Sequence, residues 1–186
     1  CDWSSDVCSS DLVIRRRYWL YYALQFLSGA RRQIFVVFAG FMMVEKFGFE
    51  VHQLTALFLV NLVINIFAAQ LFGYFVAFFG ERRALLIEYS GLIFVFLAYG
   101  GIYIFDWGVM LAATLFVLDH LFFGLRMALK TYFQKISAPE DIAPTAAVAF
   151  TINHIAAVFL PVFLGLLWLV SPALVFIIAA FIAFLS

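Results

Sequence analysis

Two pairs of ionisable residues stand inside apolar stretches of the sequence. Arg31 and Arg32 interrupt the first apolar stretch, and Asp119 and His120 lie near the middle of the fourth. A charge at the centre of a bilayer costs about 2.5–3.5 kcal/mol on insertion scales, so each group needs a partner or a function. Arginine can pair with aspartate or hold an anionic group, and a carboxylate or imidazole can bind and release a proton.

Further polar side chains lie at a similar depth. Asn61 and Asn65 are one turn apart on one face of the second stretch, and Asn153 and His154 lie in the fifth. One interpretation is a water-accessible cavity at mid-membrane, lined mainly by the first and fourth helices. The other is a set of buried contacts that only fix helix packing. We favour the cavity for the two arginines and Asp119, with an arginine facing Asp119, and interhelical hydrogen bonds for the asparagines. For the histidines, the simpler interpretation is a buried side chain whose ring nitrogens are hydrogen-bonded within the protein.

Two charged residues are expected closer to the cytoplasmic surface. Glu88 and Arg126 fall nearer the cytoplasmic ends of the third and fourth apolar stretches. We expect Glu88 to be solvated among the headgroups. We expect Arg126 to extend to the interface or to pair with a carboxylate there.

The composition is that of an integral membrane protein. Hydrophobic residues make up 67% of the 186 residues and charged residues 12%, whereas soluble domains have roughly 45–50% and about 25%. A chain of this length cannot bury that much apolar surface in its own core, so lipid must cover most of it. The net charge is zero, which gives no indication of a nucleic-acid partner.

The apolar stretches predict an all-α, six-helix transmembrane bundle over residues 13–186. Spanning takes about 20 residues, and uninterrupted runs without polar alternation favour helices over barrel strands. The predicted spans are approximately 18–44, 53–79, 84–105, 109–129, 144–170 and a truncated 172–186. We prefer one continuous helix for the first span, although an interfacial helix over 18–27 followed by a short span from Ile34 is the alternative. A polar loop is expected from Lys130 to Ala143, with Pro144 in the first turn of the fifth span.

Residues 1–12 are set apart from this domain. They read CDWSSDVCSSDL, which resembles the translation of sequencing-adapter DNA or a disordered tail and has no basic region of a signal peptide. Both cysteines, Cys1 and Cys8, lie in this segment. The cysteines therefore predict neither a disulfide nor a metal site.

Lysine and arginine are distributed unequally between the two sides of the membrane. One side carries Arg15, Arg16, Arg17, Arg82, Arg83, Lys130 and Lys135, and the other carries only Lys46. Basic residues accumulate on the cytoplasmic side, so both termini are predicted to be cytoplasmic in a multi-pass protein of the cell membrane.

No enzyme motif is present in the sequence. The three histidines, His52, His120 and His154, lack the spacing of a metal site, and no phosphate-binding loop or nucleophile elbow occurs. We expect no catalytic residue, no cofactor and no metal.

A glycine-rich stretch at the end of the second span carries a family resemblance. Residues 73–83 read GYFVAFFGERR, which is similar to the G-x-x-x-D-R-x-G-R-R signature of the major facilitator superfamily. Ala77 stands in place of the acidic residue of that signature, while Phe78 and Glu81 stand where basic residues are common. The charge relay associated with the signature therefore lacks its carboxylate here.

Two later segments add to the resemblance. The Ala-Pro-Glu-Asp stretch at 138–141, followed by Pro144, is similar to the loop before the eleventh helix of these transporters, and 161–168 is similar to the end of that helix. From Arg15 to Ser186 the chain resembles the C-terminal half of a major facilitator. The resemblance implies that its spans correspond to helices seven to twelve, with a missing N-terminal six-helix half as partner.

The resemblance also implies a function and a set of site residues. The protein would be a secondary transporter that moves a small-molecule substrate by alternating access, with arginines holding an anionic group and Asp119, with or without His154, binding a coupling proton. The expected cavity residues are Arg31, Arg32, Asp119, His120, Asn61, Asn65 and His154. The expected gating loop contains Gly73, Gly80, Glu81, Arg82 and Arg83. The alternatives are a non-catalytic membrane bundle subunit and a six-span membrane enzyme.

Overall fold

The computed structural model describes residues 16–186, so Arg15 and the predicted tail lie outside the described residues. Within 16–186 all regular structure is helical and no strand is present. The helices are α1 (Trp19–Gln33), a π-helical segment (Ile34–Ala39), α2 (Gly40–Glu45), α3 (Val51–Phe79), α4 (Glu81–Phe105), α5 (Val109–Gly124), α6 (Met127–Ile136), α7 (Pro139–Trp168) and α8 (Pro172–Phe184). A 3₁₀ turn, Arg16–Tyr18, precedes α1.

Five of these helical stretches are long and apolar enough to cross a membrane. They are Arg16–Glu45, Val51–Phe79, Glu81–Phe105, Val109–Ile136 and Pro139–Trp168. The sixth, Pro172–Phe184, is apolar but has only 13 residues. The all-helical prediction is therefore confirmed, and the five to six apolar helices are compatible with a multi-pass membrane bundle.

The first span is helical throughout, as the continuous-helix interpretation predicts. α1, the π-helical segment and α2 follow one another without a break, and the π-helical segment begins directly after Gln33. Its four buried residues, Ile34, Phe35, Phe38 and Ala39, face the core. One face of the π-helical segment is therefore covered by protein.

The predicted loop between the fourth and fifth spans is wrong. Lys130–Ala143 is mostly helical, because α6 continues to Ile136 and α7 begins at Pro139. One face of α6 is buried, and the ring of its Phe133 stacks on that of Tyr21 in α1 with their centroids 4.1 Å apart. Pro139 is thus the first-turn proline, and Pro144 lies inside α7.

Packing divides into two layers along the bundle. The main apolar core lies between α4, α5, α8 and the second half of the first span, and it includes Phe96, Phe116 and Phe176. A smaller core joins α1, α6 and α7 through Tyr18, Phe133 and neighbouring residues. The polar candidates of the first span lie between these two cores.

Polar contacts tie the helices together at both ends of the bundle. At one end Tyr18 donates a hydrogen bond to Asp141 (3.0 Å), and Lys135 of α6 pairs with Glu81 of α4. At the other end Lys46 pairs with Asp106 at 2.7 Å. The described basic residues of the predicted cytoplasmic side all lie at the first end: Arg16, Arg17, Arg82, Arg83, Lys130 and Lys135.

α1 and α7 approach each other closely at Gly29. A Cβ placed on Gly29 would collide with Oδ1 of Asn153 and lie 3.4 Å from the Asn153 Cα. We therefore expect Gly29→Val to destabilise the protein by about 1–3 kcal/mol through overpacking, measured as a lower thermal unfolding midpoint in detergent. Gly73→Val is the matched control, because a Cβ there meets no described atom within 4 Å. Equal midpoints for the two variants would contradict the close contact.

Candidate functional site

A buried ion pair joins the first span to α4. Nη2 of Arg31 lies 3.7 Å from Oε1 of Glu88, and each side chain is only 1% exposed. The Arg31 guanidinium also sits 4.5 Å from the ring centroid of Tyr89. The ion pair and the ring together offset part of the cost of burying the guanidinium.

This arrangement corrects two predictions about charge placement. Arg31 pairs with Glu88, and within residues 16–186 no ion pair joins Asp119 to Arg31 or Arg32. Glu88 is fully buried, so its expected solvation among headgroups is wrong. Glu88 lies seven residues, or about 10 Å, beyond the start of α4, which is deep enough for α1 to cover it.

Asp119 is the second buried carboxylate of this region. It lies on α5, is 1% exposed, and its Oδ1 has no hydrogen-bond partner among the described residues. The charge of Arg31 acts on it, although at a longer range than on Glu88. Arg31, Glu88 and Asp119 therefore form a buried charged cluster of one guanidinium and two carboxylates.

Arg32 points away from this buried cluster. Successive residues of an α-helix are about 100° apart, so the two neighbouring arginines face different surroundings. Arg32 is exposed and lines an open groove bounded by α1, α5, α6 and α7. The arginine pair of the sequence is thus split between a buried ion pair and a solvent-accessible groove.

The groove has a volume of about 840 Å³ and a basic lining. Its lining includes Arg32, Arg126, Lys130 and His154, but no aspartate or glutamate among the described residues. Apolar and aromatic side chains form the rest of its walls together with a few amides. This volume and character fit a site for a small organic ligand.

A hydrogen-bonded network holds the groove together at its centre. Gln25 accepts hydrogen bonds from Nη2 of Arg126 (3.2 Å) and from Nδ2 of Asn153 (3.0 Å). The interhelical role expected for Asn153 is thereby confirmed, and Arg126 lines the groove with Gln25 as its partner. Sequence reasoning missed Gln25, although a lone glutamine inside the first apolar stretch is a signal that could have found it.

The remaining cavity candidates are scattered. His120 is half-buried, with its ring 5.8 Å from that of Phe35, and it does not line the groove. His154 does line the groove, and its Nδ1 lies 2.9 Å from the carbonyl oxygen of Phe150. Asn61 is buried, yet neither Asn61 nor Asn65 forms a side-chain hydrogen bond within 16–186. The expected interhelical bonds of these two asparagines are therefore not formed here.

The expected gating-loop residues lie around the junction of α3 and α4. Gly73 is inside α3, and Gly80, with φ of +83°, separates the two helices. Glu81 pairs with Lys135, while Arg82 and Arg83 are exposed. The junction is therefore tied to α6 by this ion pair and by the packing of Val76 and Ala84 against Ala128.

The described residues provide an open groove with a basic and apolar lining, and beside it a buried cluster with more carboxylates than guanidinium groups. They contain no group of three potential metal ligands within residues 16–186. Comparison of the chain with protein-family models, curated proteins and solved structures finds no match.

Proposed function

We propose that the protein is the C-terminal six-helix half of a secondary transporter of the major facilitator type, which moves a small solute across the cell membrane by alternating access. The observation that supports this most is the open groove of about 840 Å³. Its lining runs over residues 21–33 of α1 and over residues 142–157 of α7, from near the start of α7 to its middle. An N-terminal half facing this groove would complete a central cavity.

The buried charged cluster suits a coupling role in this proposal. Ionisable groups at mid-membrane mark ion pathways and proton relays. Asp119 has no ion pair among the described residues, which makes it the strongest candidate for a proton carrier. His154 is a weaker candidate for a proton carrier, because its side chain is exposed in the groove on α7 and is not buried as Asp119 is.

The alternative is a non-catalytic bundle subunit, and one observation favours it. The Arg31–Glu88 ion pair is buried away from the groove and could serve only to hold α1 against α4. The two proposals differ in motion, because a carrier must expose its groove to each side of the membrane in turn.

Accessibility of a single cysteine in the groove tests alternating access without a known substrate. We expect Ala157→Cys, as the single cysteine of an otherwise cysteine-free full-length gene product, to react with a membrane-impermeant maleimide from both sides. Ala157 lines the groove near the middle of α7. Right-side-out and inverted membrane vesicles provide the two sides, and mass spectrometry provides the modified fraction.

Phe94→Cys is the control, because Phe94 lies near the middle of α4, is exposed and does not line the groove. It should remain unmodified from either side. Modification of Ala157→Cys from one side only, or from neither, would favour the static bundle subunit over the transporter.

A further inference from the structure

We infer that the groove binds an organic anion with an apolar body, and that Arg32 and Arg126 hold its anionic group. This inference rests on the proposed function, because it names the substrate class of the same groove. It follows from the charge balance around the groove, from unused donors on Arg126 and from the aromatic side chains of the walls.

The charges around the groove do not balance within the described residues. The guanidinium groups of Arg32 and Arg126 act on each other as like charges, and Lys130 adds a third positive group to the lining. The charge of the buried Glu88 acts on Arg126, but Glu88 is already paired with Arg31. An anion in the groove would relieve this repulsion and supply the missing negative charge.

Arg126 is positioned to make that contact. Its guanidinium has five N–H donors, and the side-chain hydrogen bond it forms among the described residues is the one from Nη2 to Gln25. The guanidinium carbon lies 5.2 Å from the ring centroid of Phe123, which limits its rotation. Nε of Arg126 is buried without a partner among the described residues, so the N–H groups left for a ligand are those of Nη1 and the second one of Nη2, which can meet the two oxygens of a carboxylate.

The walls of the groove favour a ligand that is more than a small inorganic ion. Four aromatic side chains, Tyr21, Phe123, Phe133 and Phe150, line it. Aromatic rings contribute apolar contact area and stack on flat ligands. A ligand with an anionic end and an apolar or aromatic body would use both parts of the lining.

Benzoate is a suitable probe of this class. The full-length gene product, purified in detergent, is titrated with benzoate, and the apparent Kd is taken from the shift in Tm. We expect benzyl alcohol, which lacks the charge, and acetate, which lacks the ring, each to bind about 10-fold more weakly or worse. Equal binding of benzyl alcohol and benzoate, or no benzoate binding, would overturn the inference.

Variants assign the binding to the two arginines. Arg126→Gln and Arg32→Gln should each weaken benzoate binding by about 10-fold or more, whereas Arg17→Gln, an exposed position outside the groove, should not. Arg32 has no hydrogen bond or ion pair within 16–186, so its variant tests the site even if Arg126→Gln fails to fold. Wild-type affinity in Arg32→Gln would remove Arg32 from the site and overturn the two-arginine assignment.

Two sources could supply such an anion, and a competition experiment separates them. Displacement of benzoate by added phosphatidylglycerol would identify an anionic lipid as the ligand, and no displacement would identify a soluble anion. Both results leave the arginine chemistry intact. The cysteine accessibility experiment distinguishes failure of the transport proposal from failure of the anion proposal. Benzoate binding without labelling of Ala157→Cys from both sides would contradict only the transport proposal. Labelling from both sides without benzoate binding would contradict only the anion proposal.

Discussion

Replacing Arg31 with glutamine should lower the free energy of unfolding by about 3–5 kcal/mol, the usual cost of removing one partner of a buried ion pair. The substitution leaves Glu88 and Asp119 buried, without the one fully buried cation near them. Glutamine can donate a hydrogen bond but cannot neutralise a carboxylate. Titration of the purified protein with SDS, followed by circular dichroism, measures the change.

A double variant separates the net contribution of the pair from the cost of leaving a charge alone. Arg31→Met combined with Glu88→Leu should recover much of the lost stability, because two apolar side chains need no partner. Arg82→Gln is the matched control, and its exposed position predicts a change within about 0.5 kcal/mol. If Arg31→Gln is as stable as the parent, the buried pair does not hold α1 against α4.

Asp119→Asn should abolish uptake driven by a pH gradient while leaving solute exchange active. Asparagine has nearly the shape of aspartate but cannot bind and release a proton, so the coupled step fails and the alternating motion remains. Proteoliposomes with the full-length protein and labelled benzenesulfonate measure both activities, with an imposed pH gradient for uptake and equal internal and external pH for counterflow. Benzenesulfonate replaces benzoate because it stays ionised and does not cross the bilayer as a neutral acid.

Asp106→Asn makes the same chemical change outside the apolar region. Asp106 is exposed at the opposite end of the bundle, and its left-handed backbone conformation (φ 52°) suits asparagine equally well. Uptake by this control should match the parent. Unchanged uptake in Asp119→Asn removes Asp119 from the coupling, whereas loss of both uptake and counterflow points to a packing role.

The spans and their alternation were predictable because bilayer thickness acts on every helix independently. A helix that crosses about 30 Å of hydrocarbon must contain a long apolar run. This length requirement does not depend on the neighbouring helices. The ends of the third span were accordingly predicted to within three residues, at 84–105 against Glu81–Phe105. The loop prediction for Lys130–Ala143 was wrong, because the burial of Phe133 against Tyr21 of α1 is a contact between distant parts of the chain that the local sequence does not reveal.

The partners of the charged residues were less predictable. Counting along a helix gives an approximate depth but not the direction in which a side chain points, and neighbouring residues point about 100° apart. Nothing in the local sequence indicated that Arg31 would be buried while Arg32 faces the groove. Glu88 looked superficial by depth alone, although tertiary packing buries it against α1.

The π-helical segment Ile34–Ala39 is a place where the first span can lose one residue without losing its packing. In a π-helix the hydrogen bond joins residues i and i+5, whereas in an α-helix it joins residues i and i+4. Each hydrogen-bonded turn of the π-helix therefore contains one more residue. Deleting one residue there can restore α-helical bonding without rotating Arg31 relative to Met42. The same deletion within α3 or α7 would turn all later side chains by about 100°. Homologous chains can therefore differ in length by one residue at this place and still bury the same arginine.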